Sequence, residues 1–104
     1  MLKSRYLLGL LAVTAAIVSL PAIGYPYTGQ ELASQAKVSL EQARAIALKA
    51  VPGTVTDQEL EKEPGGTGLR YSFDIKTGAK TFEVGVDAQT GALLERKVEG
   101  PHPD

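Results

Sequence analysis

Residues Leu69 to Lys76 alternate without a break. Leu69, Tyr71, Phe73 and Ile75 are apolar, and Arg70, Ser72, Asp74 and Lys76 lie between them. A period of two puts the apolar set on one face of a β-strand and the polar set on the other. After the short turn Thr77-Gly78-Ala79-Lys80, Phe82, Val84 and Val86 repeat the pattern among Thr81, Glu83, Gly85 and Asp87. With a two-residue turn, Tyr71, Phe73 and Ile75 share a sheet face with Phe82, Val84 and Val86, so the hairpin is consistent in register. A two-stranded ribbon with one oily face does not stand alone in water. The rest of the chain must cover that face.

The cover lies upstream. Val38 to Val51 reads as one helix, with Leu40, Ala43, Ile46, Ala47 and Ala50 forming an apolar stripe at three- to four-residue spacing. Ser39 is placed to cap its start and Gln42 to complete a capping box. Glu41 in the first turn and Lys49 in the last suit the helix dipole. Pro52-Gly53 stops the helix, because proline disfavours a helical residue before it. Thr54 to Glu63 reads as a strand, with helix as the competing reading of so charged a stretch. Val55 and Leu60 have opposite parity, so a strand here requires a bulge near Thr56–Gln58 if both are to face inward. Pro64 to Gly68 is a loop, and Asp87-Ala88-Gln89-Thr90-Gly91 is a turn. There the Asp87 side chain can accept N–H bonds two or three residues on, and Gly91 can turn left-handed. Ala92 to Val98 closes as a short strand with Leu94 inward. The expected fold class is α+β: one helix packed on a three- or four-stranded antiparallel meander whose other face is wet.

Residues 1–24 read as a secretory signal: Lys3 and Arg5, an apolar run from Tyr6 to Leu20, Pro21, then small residues at Ala22 and Gly24. Cleavage is expected after Gly24, with a cut after Ala36, or retention as an anchor, as the alternatives. In every case the domain is expected outside the cytoplasm, in the periplasm or extracellular space. Residues 25–37 then form a polar linker or loose arm, 38–99 the domain, and 100–104 a frayed tail. Loss of the signal leaves nine basic against twelve acidic residues, a net charge of −3. So acidic a surface is a poor match to nucleic acid, and a membrane would be met only through an uncleaved signal. The chain has no cysteine, which excludes disulfides and thiolate metal sites. Roughly 80 residues without staples must hold together by packing.

The helix VSLEQARAIALKAVPG, the acidic stretch TVTDQELEKE, the hairpin LRYSFDIKTGAKTFEV and the closing turn Val86-Asp87-Ala88-Gln89-Thr90-Gly91 occur in this order behind a signal. The order resembles a PepSY domain, a family named for the propeptides of secreted metallopeptidases and for a spore-cortex protein. The resemblance covers Val38 to Val98. Ser39, Leu40 and Ala43 match the family's helix opening, and Val86, Asp87, Thr90 and Gly91 its closing turn. It implies a non-enzymatic module that binds a protein partner, with a secreted peptidase as the class it inhibits or regulates. With no peptidase sequence after Asp104, that partner is expected in trans.

The residues themselves carry no reaction. The lone His102 sits between prolines in the tail, and Ser39 and Ser72 lie in no nucleophile pattern. No catalytic residue, cofactor or metal site is assigned. Asp57, Glu59, Glu61 and Glu63 lie two apart, so a regular strand aligns them on one face. They are the expected partner contact, a stripe for a basic surface. A Ca²⁺ or small-ligand site is the alternative, although alternate residues about 6.6 Å apart on a flat strand do not converge on one ion. The bland reading is a solvated face with Glu59 and Glu61 screened by Arg70 or Lys76. Tyr25 and Tyr27 flank Pro26 and read as signal-adjacent linker, or as anchors on a partner.

Overall fold

The computed structural model describes residues 27–100. The signal segment, Tyr25 and His102 lie outside the described residues. The helix α1 spans Leu40–Ala50, and four strands follow: β1 (Thr54–Lys62), β2 (Leu69–Thr77), β3 (Lys80–Asp87) and β4 (Leu93–Val98). The strands form one antiparallel sheet in sequence order, β1-β2-β3-β4.

Helix α1 begins with a complete capping box. The Gln42 N–H donates to Ser39 Oγ at 3.0 Å and the Ser39 N–H donates to Gln42 Oε1 at 2.9 Å. Its alanines decide how it packs. Ala43 and Ala47 are fully buried, so the helix backbone lies close to β2 and β3, while Leu40, Ile46, Leu48 and Ala50 pack around them half-buried. The core between the layers is Leu60, Tyr71, Phe73, Ile75, Val84 and Val86 with these alanines. Tyr71 faces Val86, Phe73 faces Val84 and Ile75 faces Phe82, as the alternation requires. The Tyr71 hydroxyl donates to Val38 O at 2.7 Å, tying the sheet to the start of the helix. Burial, with the nearby Tyr27 and Glu41, pushes that phenol up to about 12.

Two bulges set the parity of the outer strands. In β1 the register shifts between Val55 and Asp57, and this allows both Val55 and Leu60 to face the helix. In β4 a second shift falls between Gly85 and Val86, pairing Gly85 with Glu95 and Val86 with Leu93. Leu94 is the extra residue, and it turns away from the core expected for it. Its methyl groups instead lie beside Gly66 and close to Asp87, under the loop 64–68 on the wet side.

The segment read as a loose arm is also different. Gln30–Gln35 form a 3-10 helix beside β1, and Tyr27, Leu32 and Ala36 pack against the core. Tyr27 therefore anchors on its own domain. Thr28 bridges Glu59 in parallel and accepts the Leu60 N–H at 2.9 Å. Polarity in the sequence reflected the outer side of this segment and hid its few inward residues. The Lys37 and Val38 N–H groups both donate to Ala88 O at 2.9 Å, securing the entry to α1 against the β3–β4 turn.

Candidate interaction face

The sheet face away from α1 collects the polar residues of all four strands. The β1 bulge does not scatter the acidic set: Asp57 stands opposite Asp74, Glu59 opposite Ser72 and Glu61 opposite Arg70. Glu63 lies beyond the end of β1, where its N–H donates to Gly68 O. Three of the four expected contact residues thus share one strand face, and Glu63 belongs to the loop. Asp74 in turn stands opposite Glu83, so Asp57, Asp74 and Glu83 form a carboxylate row across three strands. Lys97 of β4 is opposite Glu83, but its ammonium pairs with Glu95 at 3.1 Å.

The crowding is visible in the titration of these groups. Burial and the neighbouring Glu61 and Asp57 raise the Glu59 carboxyl above its usual range. Asp74 is raised by burial, Glu99 and Asp57, and Glu83 by burial and Glu95, with Lys97 opposing. The screening expected of Arg70 goes elsewhere. Arg70 is nine-tenths buried and crosses Gly85. Its Nη1 lies 3.3 Å from Glu95 and 3.5 Å from Glu63, and its Nη2 donates to Pro64 O at 3.0 Å. Glu61 is satisfied by the Ser72 hydroxyl at 2.7 Å. Lys76 donates to Gly78 O at 3.1 Å, bending toward the hairpin turn. The row 57–74–83 is left without an ion pair among the described residues.

At one corner of this face Asp87 joins two loops. Gln89 and Thr90 N–H donate to its Oδ1 at 2.8 and 3.1 Å. Gly91 follows with φ 82° and donates its N–H to Asp87 O. Thr67 adds two more bonds from loop 64–68, its N–H to Oδ2 at 2.7 Å and its hydroxyl to Oδ1 at 2.8 Å. Burial pushes the Asp87 carboxyl up, but the bonds from Thr67, Gln89 and Thr90 outweigh it and hold the group at about 2. The turn side of this clasp was expected from the sequence, and a hydroxyl among the glycines of PGGTG was the one sign of its Thr67 side.

The edges of the sheet differ. Thr28 covers β1 at Leu60, whereas β4 ends the sheet with Leu93 and Val98 exposed. Among the described residues no three carboxylate or imidazole groups are gathered as a metal ion would require.

Helix, acidic strand, hairpin, turn and closing strand together match the family model described as the peptidase propeptide and YPEB domain, PepSY, over residues 37–97. The chain belongs to the PepSY family. PepSY domains are in general non-catalytic modules linked to propeptide- and inhibitor-like regulation of peptidases, and they typically occur in exported proteins. The uncharacterized protein YkoJ of Bacillus subtilis (strain 168) is 30% identical over 70 residues, which cover 67% of this chain and 41% of YkoJ. No solved structure matches. The PepSY match runs from the entry of α1 through β4, so the acidic face and the Asp87 clasp both fall within it. No helix among the described residues is long and apolar enough to cross a membrane.

Proposed function

We propose that this PepSY domain is an exported, non-enzymatic binding module whose acidic sheet face receives a basic surface of a protein partner, a secreted peptidase that it restrains. The observation that carries the reading is the row Asp57–Asp74–Glu83, without an ion pair among the described residues, on an open sheet face. Like charges placed directly opposite weaken a sheet, and a basic partner converts that repulsion into attraction. Glu59 and Glu61 extend the row along β1, and Glu63 marks its end beside the loop. Such a surface speeds encounter with a cationic partner and makes association sensitive to salt.

The test is affinity capture from an envelope extract with the native chain and with the triple variant Asp57→Asn, Asp74→Asn, Glu83→Gln. The native chain is expected to retain a peptidase and to slow its hydrolysis of a peptide substrate when added back. The triple variant is expected to lose that effect, and raised salt to weaken it. Capture of no peptidase, unchanged hydrolysis, or equal inhibition by the variant would overturn the proposal.

A further inference from the structure

Along its outer side, β4 carries backbone groups that the fold does not use. The Glu99 N–H donates to Thr81 O at 2.8 Å, and Lys97 and Glu95 stand opposite Glu83 and Gly85 of β3. In an antiparallel ladder alternate residues turn both backbone groups to the same neighbour. Glu95, Lys97 and Glu99 therefore bond toward β3, and Arg96 and Val98 turn their N–H and C=O groups outward. Strand β4 ends the sheet, so among the described residues no strand meets them. At the other edge Thr28 already accepts the Leu60 N–H of β1.

The side chains beside these groups define the strand that fits. Leu93, Arg96 and Val98 stand opposite Val86, Val84 and Phe82, so all three point to the helix side. Helix α1 packs over β2 and β3 and leaves them exposed. Leu93 and Val98, at 44% and 47%, are the large apolar side chains exposed among the described residues. Arg96, between them, makes no ion pair there. On the wet side, Lys97 and Arg70 both pair with Glu95. An added strand therefore meets two apolar side chains with an unpaired cation between them. A second copy of β4 is a poor match. The antiparallel registers that pair most of the strand with itself are centred on Glu95 or Arg96, and each sets that charge against its own copy. Like charges directly opposite weaken a sheet, and charge is a common guard of edge strands against self-pairing.

We propose that β4 accepts a fifth strand from another protein, an extended segment with an acidic residue opposite Arg96 and an apolar residue two positions to either side. Main-chain bonds to Arg96 and Val98 supply the attachment, and the side chains supply the selection. The site is separate from the acidic face and does not rest on a peptidase partner.

The test is amide hydrogen exchange of the full chain, read by NMR, with three peptides. They are acetyl-Thr-Val-Thr-Glu-Thr-Val-Thr-amide, the same peptide with Lys at its centre, and the Glu peptide N-methylated at its central residue. The Glu peptide is expected to slow exchange at Arg96 and Val98 and to leave Lys97 and Glu99, already bonded to β3, unchanged. The Lys peptide is expected to bind about fivefold more weakly, as exchange of an opposite for a like cross-strand charge implies. N-methylation removes a main-chain donor and is expected to abolish the protection. Arg96→Glu changes an exposed residue and is expected to invert the preference between the Glu and Lys peptides. Unchanged exchange at Arg96 and Val98, equal binding of the Glu and Lys peptides, a preference that survives Arg96→Glu, or undiminished binding of the methylated peptide would overturn the site. Protection of Arg96 and Val98 that grows with the concentration of the chain alone would also overturn it, by giving the edge to a second copy. None of these outcomes bears on Asp57, Asp74 and Glu83, so the acidic-face reading stands or falls by its own test.

Discussion

Asp87 is 1% exposed and its carboxylate accepts four hydrogen bonds, two from Thr67 and one each from Gln89 and Thr90. A carboxylate survives this degree of burial only because donors surround it. Asp87→Asn preserves the shape but turns one acceptor into a donor facing donors. It is expected to cost about 2–3 kcal/mol in urea denaturation, the range for a lost charged hydrogen bond in a buried site. The acid limb gives an independent check. The folded group, at about 2, lies below the ordinary value of 3.8 for an aspartate carboxyl. Its stabilisation is complete above the unfolded value and is lost as pH falls through the folded one. The native chain should therefore lose stability between about pH 4 and pH 2, and Asp87→Asn should show a flatter curve there. Tyr71 supplies the opposite limb. Its phenol, raised to about 12 from 10.0, contributes fully below pH 10, and its contribution fades as pH rises through 12. Tyr71→Phe removes the bond to Val38 O and is expected to cost about 1 kcal/mol at pH 7. The turn half of the Asp87 network was legible in Asp-x-x-Thr-Gly, because those bonds are local. The Thr67 half was not, because it joins residues 20 apart whose meeting depends on the whole sheet.

Elements defined by their own periodicity were legible, and those defined by a neighbour were not. Helix α1 and the β2–β3 hairpin carry their pattern internally, and the β1 bulge follows from the opposite parity of Val55 and Leu60. The β4 bulge has no such sign. The pair Leu93-Leu94 permits either parity, and the space beside Gly66, not the strand's own pattern, determines where Leu94 lies. The 3-10 segment was hidden in the same way, since its order comes from β1. Gly29 is the residue that makes this contact feasible. It has φ 88°, and a Cβ there would lie 1.7 Å from Leu60 O. Gly29→Ala therefore combines a left-handed backbone with a collision against β1 that no side-chain rotation relieves. It is expected to cost about 1–3 kcal/mol, the scale of such local strain, or to be relieved by detachment of the segment. Hydrogen exchange distinguishes these: the Leu60 amide, bonded to Thr28 O, should lose protection while the amides of Phe73 and Val84 retain theirs. Uniform loss of protection across the sheet would show that the segment is integral to the domain and not an outer layer.

At the scale of the whole molecule, the two faces of the sheet are held by opposite physics. The helix side gains from burial of Leu60, Tyr71, Phe73, Ile75, Val84 and Val86. The other side tolerates repulsion along Asp57, Asp74 and Glu83. Stability and recognition should therefore respond oppositely to one substitution. Asp74 is the centre of the row, so Asp74→Asn relieves contacts on both sides while leaving the backbone pairing unchanged. It is expected to stabilise the domain by about 0.5 kcal/mol, in the range of a like-charged cross-strand pair, and to weaken association with a basic partner. The pH dependence has the same sign. Glu59, Asp74 and Glu83 are raised in the folded state, so the folded chain takes up these protons more readily than the unfolded one. Their contribution is greatest below the unfolded values and is lost as pH rises through the folded ones. On acidification from neutrality the native chain should first gain stability from this face, before Asp87 takes its proton. Asp74→Asn should reduce that gain. Thermal unfolding from pH 7 to pH 4 of the native chain and the variant measures the difference directly. Parallel curves would mean that the row is fully screened by solvent, and a screened row offers a partner little electrostatic attraction. The stability experiment thus bears on the binding face before any partner is in hand.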